Sequence, residues 1–425
     1  MRLNKLPVLE VRRFGGEKQP EVRIARCVLV VLLLANFGCG SGSPFAQNAP
    51  QAPVIPTAPP KLASQEYLTL LAKYPEDRQG EGLDSSFGTV AERPATYAVV
   101  LSSEVLHFRA SPNEEGRRRI HKAVRWLLDN IDLDKDGKPG WGLADAWDAF
   151  SDGTVNPAHH PYTITTALVL WGLLDGVSLP GFWTEAEREE IRRAIVSTSL
   201  RWCHEVWEET ASGGYFWYSP TVFDSEFVPN VSAALLGGLS RLVVEQRGAL
   251  TQAEYEFIQA RVLAAAEAIV ESAQFRDGAP FWYYSAGDPN DPNDLGHHII
   301  ILWSMELYRG TGNPVPWTNS QAIESLDRFW RSGSVYDYPQ DVTYVGNQAS
   351  FQDRPGVLPA VGALVGYYAR WADAARTSTS FDYLQRVHGP WPDLRLWPAT
   401  FSSDTNFYSG SAVWALWGVA LRDFV

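Results

Sequence analysis

The chain is poor in sulfur, with three cysteines and two methionines in 425 residues. Cys27 and Cys39 both belong to an apolar N-terminal stretch, which leaves Cys203 alone in the remainder. A lone thiol forms no disulfide within the domain and no cysteine-based zinc site, so a disulfide scaffold and a zinc ribbon are excluded. Cys203 lies in the amphipathic stretch 200–207 and reads as a buried structural thiol. Basic charge is also scarce: 36 Lys and Arg face 49 Asp and Glu, for a net −13, and beyond residue 38 the balance is 29 against 46. Neutralising phosphates requires clustered basic side chains, so the composition argues against a nucleic-acid partner. The chain has no Walker-A motif, no dinucleotide-binding glycine pattern and no G-x-S-x-G elbow, which sets aside nucleotide-dependent and serine-hydrolase chemistry.

Residues 23–39 place two arginines, Arg23 and Arg26, before an apolar run that ends at Gly38-Cys39. The run is shorter than the ~20 residues a membrane-spanning helix needs and has the layout of a secretory signal. It resembles a bacterial lipoprotein signal, although Asn36 and Phe37 stand where that motif prefers an aliphatic and a small residue. The resemblance implies export, lipidation of Cys39 and attachment to a membrane of the bacterial cell envelope, facing the periplasm or the exterior. Residues 39–61 carry six prolines among Ala, Gln, Ser and Asn, a tether composition that cannot build a core. The division expected is a leader over 1–38, a disordered tether over 39–61 and a single domain over 62–425, monomeric and without a required cofactor.

Aromatic residues are abundant, with 17 Trp, 17 Tyr and 19 Phe. From residue 62 one unit recurs: an amphipathic helix, a loop rich in Gly, aromatics and carboxylates, then a helix of small and aliphatic residues. Six units fit the chain, with first helices at 66–74, 115–130, 185–208, 252–274, 321–331 and 381–387. Their partners are at 96–108, 162–175, 231–245, 297–308, 357–371 and 409–422. Thr184-Glu187 and Thr251-Glu254 have capping-box form. The second helices are apolar nearly all round, which predicts burial on every side. One short strand is expected at 342–345. Six such hairpins resemble the (α/α)6 toroid of six-hairpin glycosidases and of several polysaccharide lyases and epimerases, an all-α double ring. An open helical solenoid would use similar hairpins.

In a closed toroid the long loops collect on one face, and here they alternate aromatics with carboxylates and amides. Rings stack on pyranose faces while Asp, Asn and His bind hydroxyls, so a glycan is the expected partner. The candidate binding residues are Trp141, Trp147, Asn156, Trp217, Tyr218, Trp282, Tyr283, His297, Tyr344, Asp353 and Trp397. Glycoside hydrolysis needs two carboxyl groups, one protonated and one ionised. Asp148, between aromatic neighbours, and Glu226, ahead of an inner helix, are the first choice, with Asp224 a further candidate and, like Asp294, a candidate helix cap. A second reading takes Asn156, His160 and Tyr162, which resemble the Asn-His-Tyr set of toroid uronate lyases; Pro157, Ala158 and Pro161 depart from that pattern. It implies a polysaccharide lyase or uronate epimerase removing the C5 proton. A third reading is a non-catalytic glycan-binding envelope protein. Asp132, Asp134 and Asp136 have the D-x-D-x-D-G spacing of a calcium loop, with Leu143 at the twelfth position and Asp145 as a substitute ligand.

Overall fold

The structure, a computed structural model, describes residues 62–211, 213–286, 292–339 and 353–425. The leader, the tether, Cys39, Tyr344 and the strand expected at 342–345 lie outside these residues. Twelve α-helices are present among the described residues. The six second helices are α2 (Pro94–Ala110), α4 (Thr163–Val177), α6 (Pro229–Glu245), α8 (Leu295–Arg309), α10 (Leu358–Trp371) and α12 (Ser409–Phe424). Each packs on the next, and α12 packs back on α2, so the ring closes and the solenoid alternative falls. Outside it stand α1 (Gln65–Leu71), α3 (Glu114–Asp129), α5 (Glu185–Glu205), α7 (Gln252–Ser272), α9 (Asn319–Asp327) and α11 (Ala374–His388), completing the (α/α)6 toroid.

The sequence explains both layers. Outer helices start on side-chain caps: Thr184 with Glu187 and Thr251 with Glu254 form the expected reciprocal boxes, and Thr318 with Gln321 forms a third. The sixth outer helix begins seven residues earlier than expected, at Ala374, because the Asp373 carboxylate accepts the Arg376 N–H at 2.8 Å. Inner helices carry no polar face: in α4, thirteen of fifteen residues are buried. Cys203 is fully buried, as expected, and burial pushes its thiol up to about 12, so it is inert near neutrality.

α10 and α12 meet through glycines. A Cβ added to Gly418 would lie 2.3 Å from the Gly362 carbonyl oxygen, and one added to Gly362 would lie 2.5 Å from the Ala415 nitrogen. Gly418→Ala is therefore expected to cost about 3 kcal/mol, the upper end for an overpacked core. Urea unfolding measures this, and a loss below about 0.5 kcal/mol would show that the two helices separate freely.

The long connections all run from an outer helix to the N-terminus of an inner one, and four fold into short hairpins that the aromatic pattern did not announce. These pair β1 (Glu81–Leu83) with β2 (Val90–Glu92), β3 (Trp207–Thr210) with β4 (Gly213–Phe216), β5 (Gln274–Arg276) with β6 (Ala279–Phe281), and β7 (Trp330–Arg331) with β8 (Ser334–Val335). Asp277-Gly278 and Ser332-Gly333 turn the last two with positive φ at both positions, the geometry that matches hairpin twist. Successive loops are tied by backbone bonds at the inner-helix starts. Thr163 N–H donates to Tyr218 O at 2.9 Å, Leu295 N–H to Asp337 O at 2.8 Å, and Leu358 N–H to Leu396 O at 3.0 Å.

Candidate active site

The loop face holds two polar centres joined by tyrosines. The first lies between the second and third loops. Asp224, in a 3-10 turn and 1% exposed, accepts from Asn156 Nδ2 and from Ser219 Oγ, both at 2.6 Å. It caps no helix; it satisfies buried donors from two loops. His160 Nε2 stands 3.2 Å from Ser219 Oγ and 3.0 Å from Thr221 Oγ1. Burial lowers its pKa against the opposing charge of Asp224. The Tyr162 hydroxyl donates to the Trp147 carbonyl at 3.3 Å, and burial raises its pKa to about 12. Asn156, His160 and Tyr162 thus do converge, around a carboxylate that the sequence offered separately. Trp147 closes the centre, edge-on to Tyr162 and Tyr218 at 5.2 and 5.7 Å.

The second centre lies at the starts of α8 and α10. Asp294 caps α8 through the His297 N–H at 3.0 Å, as expected of it, and its other oxygen meets His297 Nδ1 at 2.8 Å. Asp337 is 2% exposed and bonded by Arg354 Nε at 3.0 Å, and the Arg354 guanidinium stacks 4.6 Å over Trp397. The environments push the two carboxyls apart. Burial works to raise Asp294, but the His297 charge and hydrogen bonds, with Arg354, hold it below its ordinary value. Burial and the neighbouring Asp294 charge push Asp337 up to about 7, against Arg354 and the Val357 N–H. Tyr218 hydrogen-bonds Tyr284, whose ring is 5.1 Å from that of His297, and so links the two centres.

Several expected residues do other work. Asp148 uses both carboxylate oxygens on the backbone N–H groups of Asp152 and Gly153, at 3.1 and 2.8 Å, closing its own loop. Glu226 is exposed and accepts from Ser285. No contact joins these two carboxylates among the described residues. Trp141 and Trp282 are corrections: both are fully buried and give their indole N–H to the Leu127 and Ile269 carbonyls at 2.9 Å, so they pack the core and offer no open face. Trp217 and Tyr283 are half-buried. Asp353 is exposed and ion-paired with Arg331 at 2.9 Å. Asp337 carries no motif or spacing in the sequence that marks it as a site residue.

In the acidic loop, carboxylate oxygens of Asp132, Asp134 and Asp136 lie within 4.8 Å of one another. Asp132 Oδ1 is buried without a partner, and burial plus the Asp136 and Asp132 neighbours raises the Asp134 pKa. These hard oxygen donors are of the kind calcium takes. Asp145 does not complete the set: it pairs with Arg93 at 2.9 Å and accepts from Thr89 at 2.8 Å.

No protein-family profile and no curated protein sequence matches the chain. Solved structures do. Cellobiose 2-epimerase from Bacillus thermoamylovorans is similar at 11% identity over 82% of this chain and 95% of that one, with a TM-score of 0.56. Cellobiose 2-epimerase from Spirochaeta thermophila is similar at 14% identity over 78% and 86%, with a TM-score of 0.53. An alpha-amylase from Clostridium perfringens is similar at 14% identity over 84% and 98%, also with a TM-score of 0.53. Likeness at such identities shows the fold; the chemistry has to be argued from the side chains.

Proposed function

We propose that the chain is a carbohydrate-active enzyme and, more narrowly, a glycoside hydrolase acting at the loop face. The observation that carries this reading is a pair of neighbouring carboxyls in unlike surroundings: Asp337 is 2% exposed, and burial pushes it up to about 7, while Asp294 lies 2.8 Å from His297 Nδ1, which holds it below its ordinary value. Asp337 would protonate the leaving glycosidic oxygen. Asp294 would orient His297 through Nδ1 and stabilise its charge while the imidazole takes a proton from the attacking water. Arg354 over Trp397 and the Trp147-Tyr162-Tyr218 group would supply stacking and hydroxyl contacts. The names of the similar structures, epimerases and an amylase, fit a sugar substrate.

A specific observation favours a second reading as well. A histidine oriented by a carboxylate, beside the Asn156-His160-Tyr162 centre, is also what proton abstraction in a lyase or epimerase needs. Incubation with a panel of oligosaccharides separates the two. New reducing ends support hydrolysis, absorbance of an unsaturated uronate product supports elimination, and a changed sugar with neither signal supports epimerisation. Absence of any product across neutral and acidic glycans would sink the catalytic reading in favour of a binding protein.

Two further expectations belong to this proposal. Millimolar calcium is expected to raise the melting temperature, and Asp134→Asn to abolish the response; an unchanged wild-type curve would assign the cluster to a plain acidic turn. Cys39→Ala is expected to move the expressed protein from the membrane fraction to the soluble fraction, and retention on membranes would overturn lipid anchoring at that residue.

A further inference from the structure

The ring also opens at the end opposite the long loops. There the C-terminal halves of the inner helices enclose a cavity of about 790 Å³, a size ordinary for small-molecule sites. Five tryptophans line it: Trp171 from α4, Trp303 from α8, Trp371 from α10, and Trp414 and Trp417 from α12. Trp171 gives its indole N–H to the Ala234 carbonyl at 3.0 Å. The other four indole N–H groups have no hydrogen-bond partner among the described residues. Trp303 meets Trp371 and Trp417 with centroids 4.2 and 4.3 Å apart at 71° and 53°, so the wall presents ring faces in several directions.

Glu306 lies one helical turn beyond Trp303, on the same side of α8. It is 8% exposed, and one oxygen pairs with Arg309 at 3.1 Å, while Oε1 is buried without a hydrogen-bond partner. An open acceptor in such a place is costly until a donor reaches it. The lining also includes Arg109, Arg188 and Arg370, none of which has a carboxylate within ion-pair distance among the described residues. Arg241, by contrast, is taken up by Asp175 and Glu245 at 2.8 and 2.7 Å. Arg109 donates to Ser178 Oγ at 2.5 Å, and the five arginines of the lining outnumber its three carboxylate side chains, Asp175, Glu245 and Glu306, a surplus that points to an anionic ligand.

We propose that this cavity is a second binding site, for a short oligosaccharide bearing carboxylates. The arginines would hold the uronate carboxylates, the indoles would stack on sugar faces and donate to ring or hydroxyl oxygens, and Glu306 Oε1 would accept from a hydroxyl. The site is separate from the loop-face chemistry and does not depend on which reaction occurs there.

The test uses the full chain, titrated with trigalacturonate and with maltotriose as the neutral control, and read by calorimetry and tryptophan fluorescence. Trigalacturonate is expected to change the fluorescence and to bind at least tenfold more tightly than maltotriose. Arg109 and Arg370 are exposed, so Arg109→Gln with Arg370→Gln should fold normally and weaken acidic binding at least tenfold. Trp414→Phe should diminish the fluorescence change. The proposal is overturned by equal affinity for the neutral sugar, by no binding at millimolar concentration, by indifference to the arginine changes, or by a fluorescence change that Trp414→Phe leaves intact.

Discussion

Asp337→Asn is expected to lower kcat by about 10²–10⁴-fold, the usual worth of a positioned general acid, with a much smaller change in KM. The amide keeps the shape and can still accept from Arg354 Nε, but it has no proton to give to a leaving oxygen. In the wild type, kcat/KM should fall as pH rises through about 7, where Asp337 loses its proton. Arg354 opposes the raised pKa, so Arg354→Gln should move that alkaline limb to higher pH. A limb that stays in place, or moves down, would remove Asp337 from the acid role. Stability provides an independent readout. Asp337 binds its proton more tightly folded than unfolded, so its contribution is complete below the ordinary aspartate range and is lost as pH rises towards about 7. The wild type should therefore lose stability across that interval relative to Asp337→Asn, and parallel curves would contradict the assignment.

The architecture was more legible than this centre. Twelve helices follow from apolar periodicity and from caps such as Thr184-Glu187, signals contained within a few residues of one another. The β-hairpins were legible in part: Asp277-Gly278 is a strong turn signal, but strands of two or three residues leave no alternation to count. Asp337 offered no local signal. Tyr336-Asp337-Tyr338 looks like any aromatic loop, and what distinguishes it is Arg354, Val357 and Asp294, brought together by the packing of α8 beside α10. Trp141 and Trp282 misled for the converse reason. Their neighbours in sequence are loop residues, yet each reaches back to the final turns of the preceding outer helix and anchors there. Aromatic content announces that a loop layer exists; which rings face solvent depends on carbonyls far from them in the chain.

Arg119→Met is expected to destabilise the fold by about 3–5 kcal/mol, the loss associated with leaving one member of a buried ion pair alone. Arg119 of α3 meets Glu104 of α2 at 2.8 Å, with both side chains 5% exposed or less. The same guanidinium donates to the Tyr74 carbonyl at 2.9 Å, and the Arg119 carbonyl accepts from Gln79 at 2.9 Å. One residue therefore fastens the first outer segment, the first inner helix and the second outer helix where the ring closes through α1, α2 and α12. Methionine fills much of the same volume, so the loss would come from the stranded Glu104 carboxylate and the unpaired Tyr74 carbonyl. Combining Arg119→Met with Glu104→Leu removes the stranded charge and should recover most of the stability. The double-mutant cycle, measured by urea unfolding, should give a coupling of at least about 2 kcal/mol. Additive losses would show that the pair is solvated and that the ring closes on apolar packing alone.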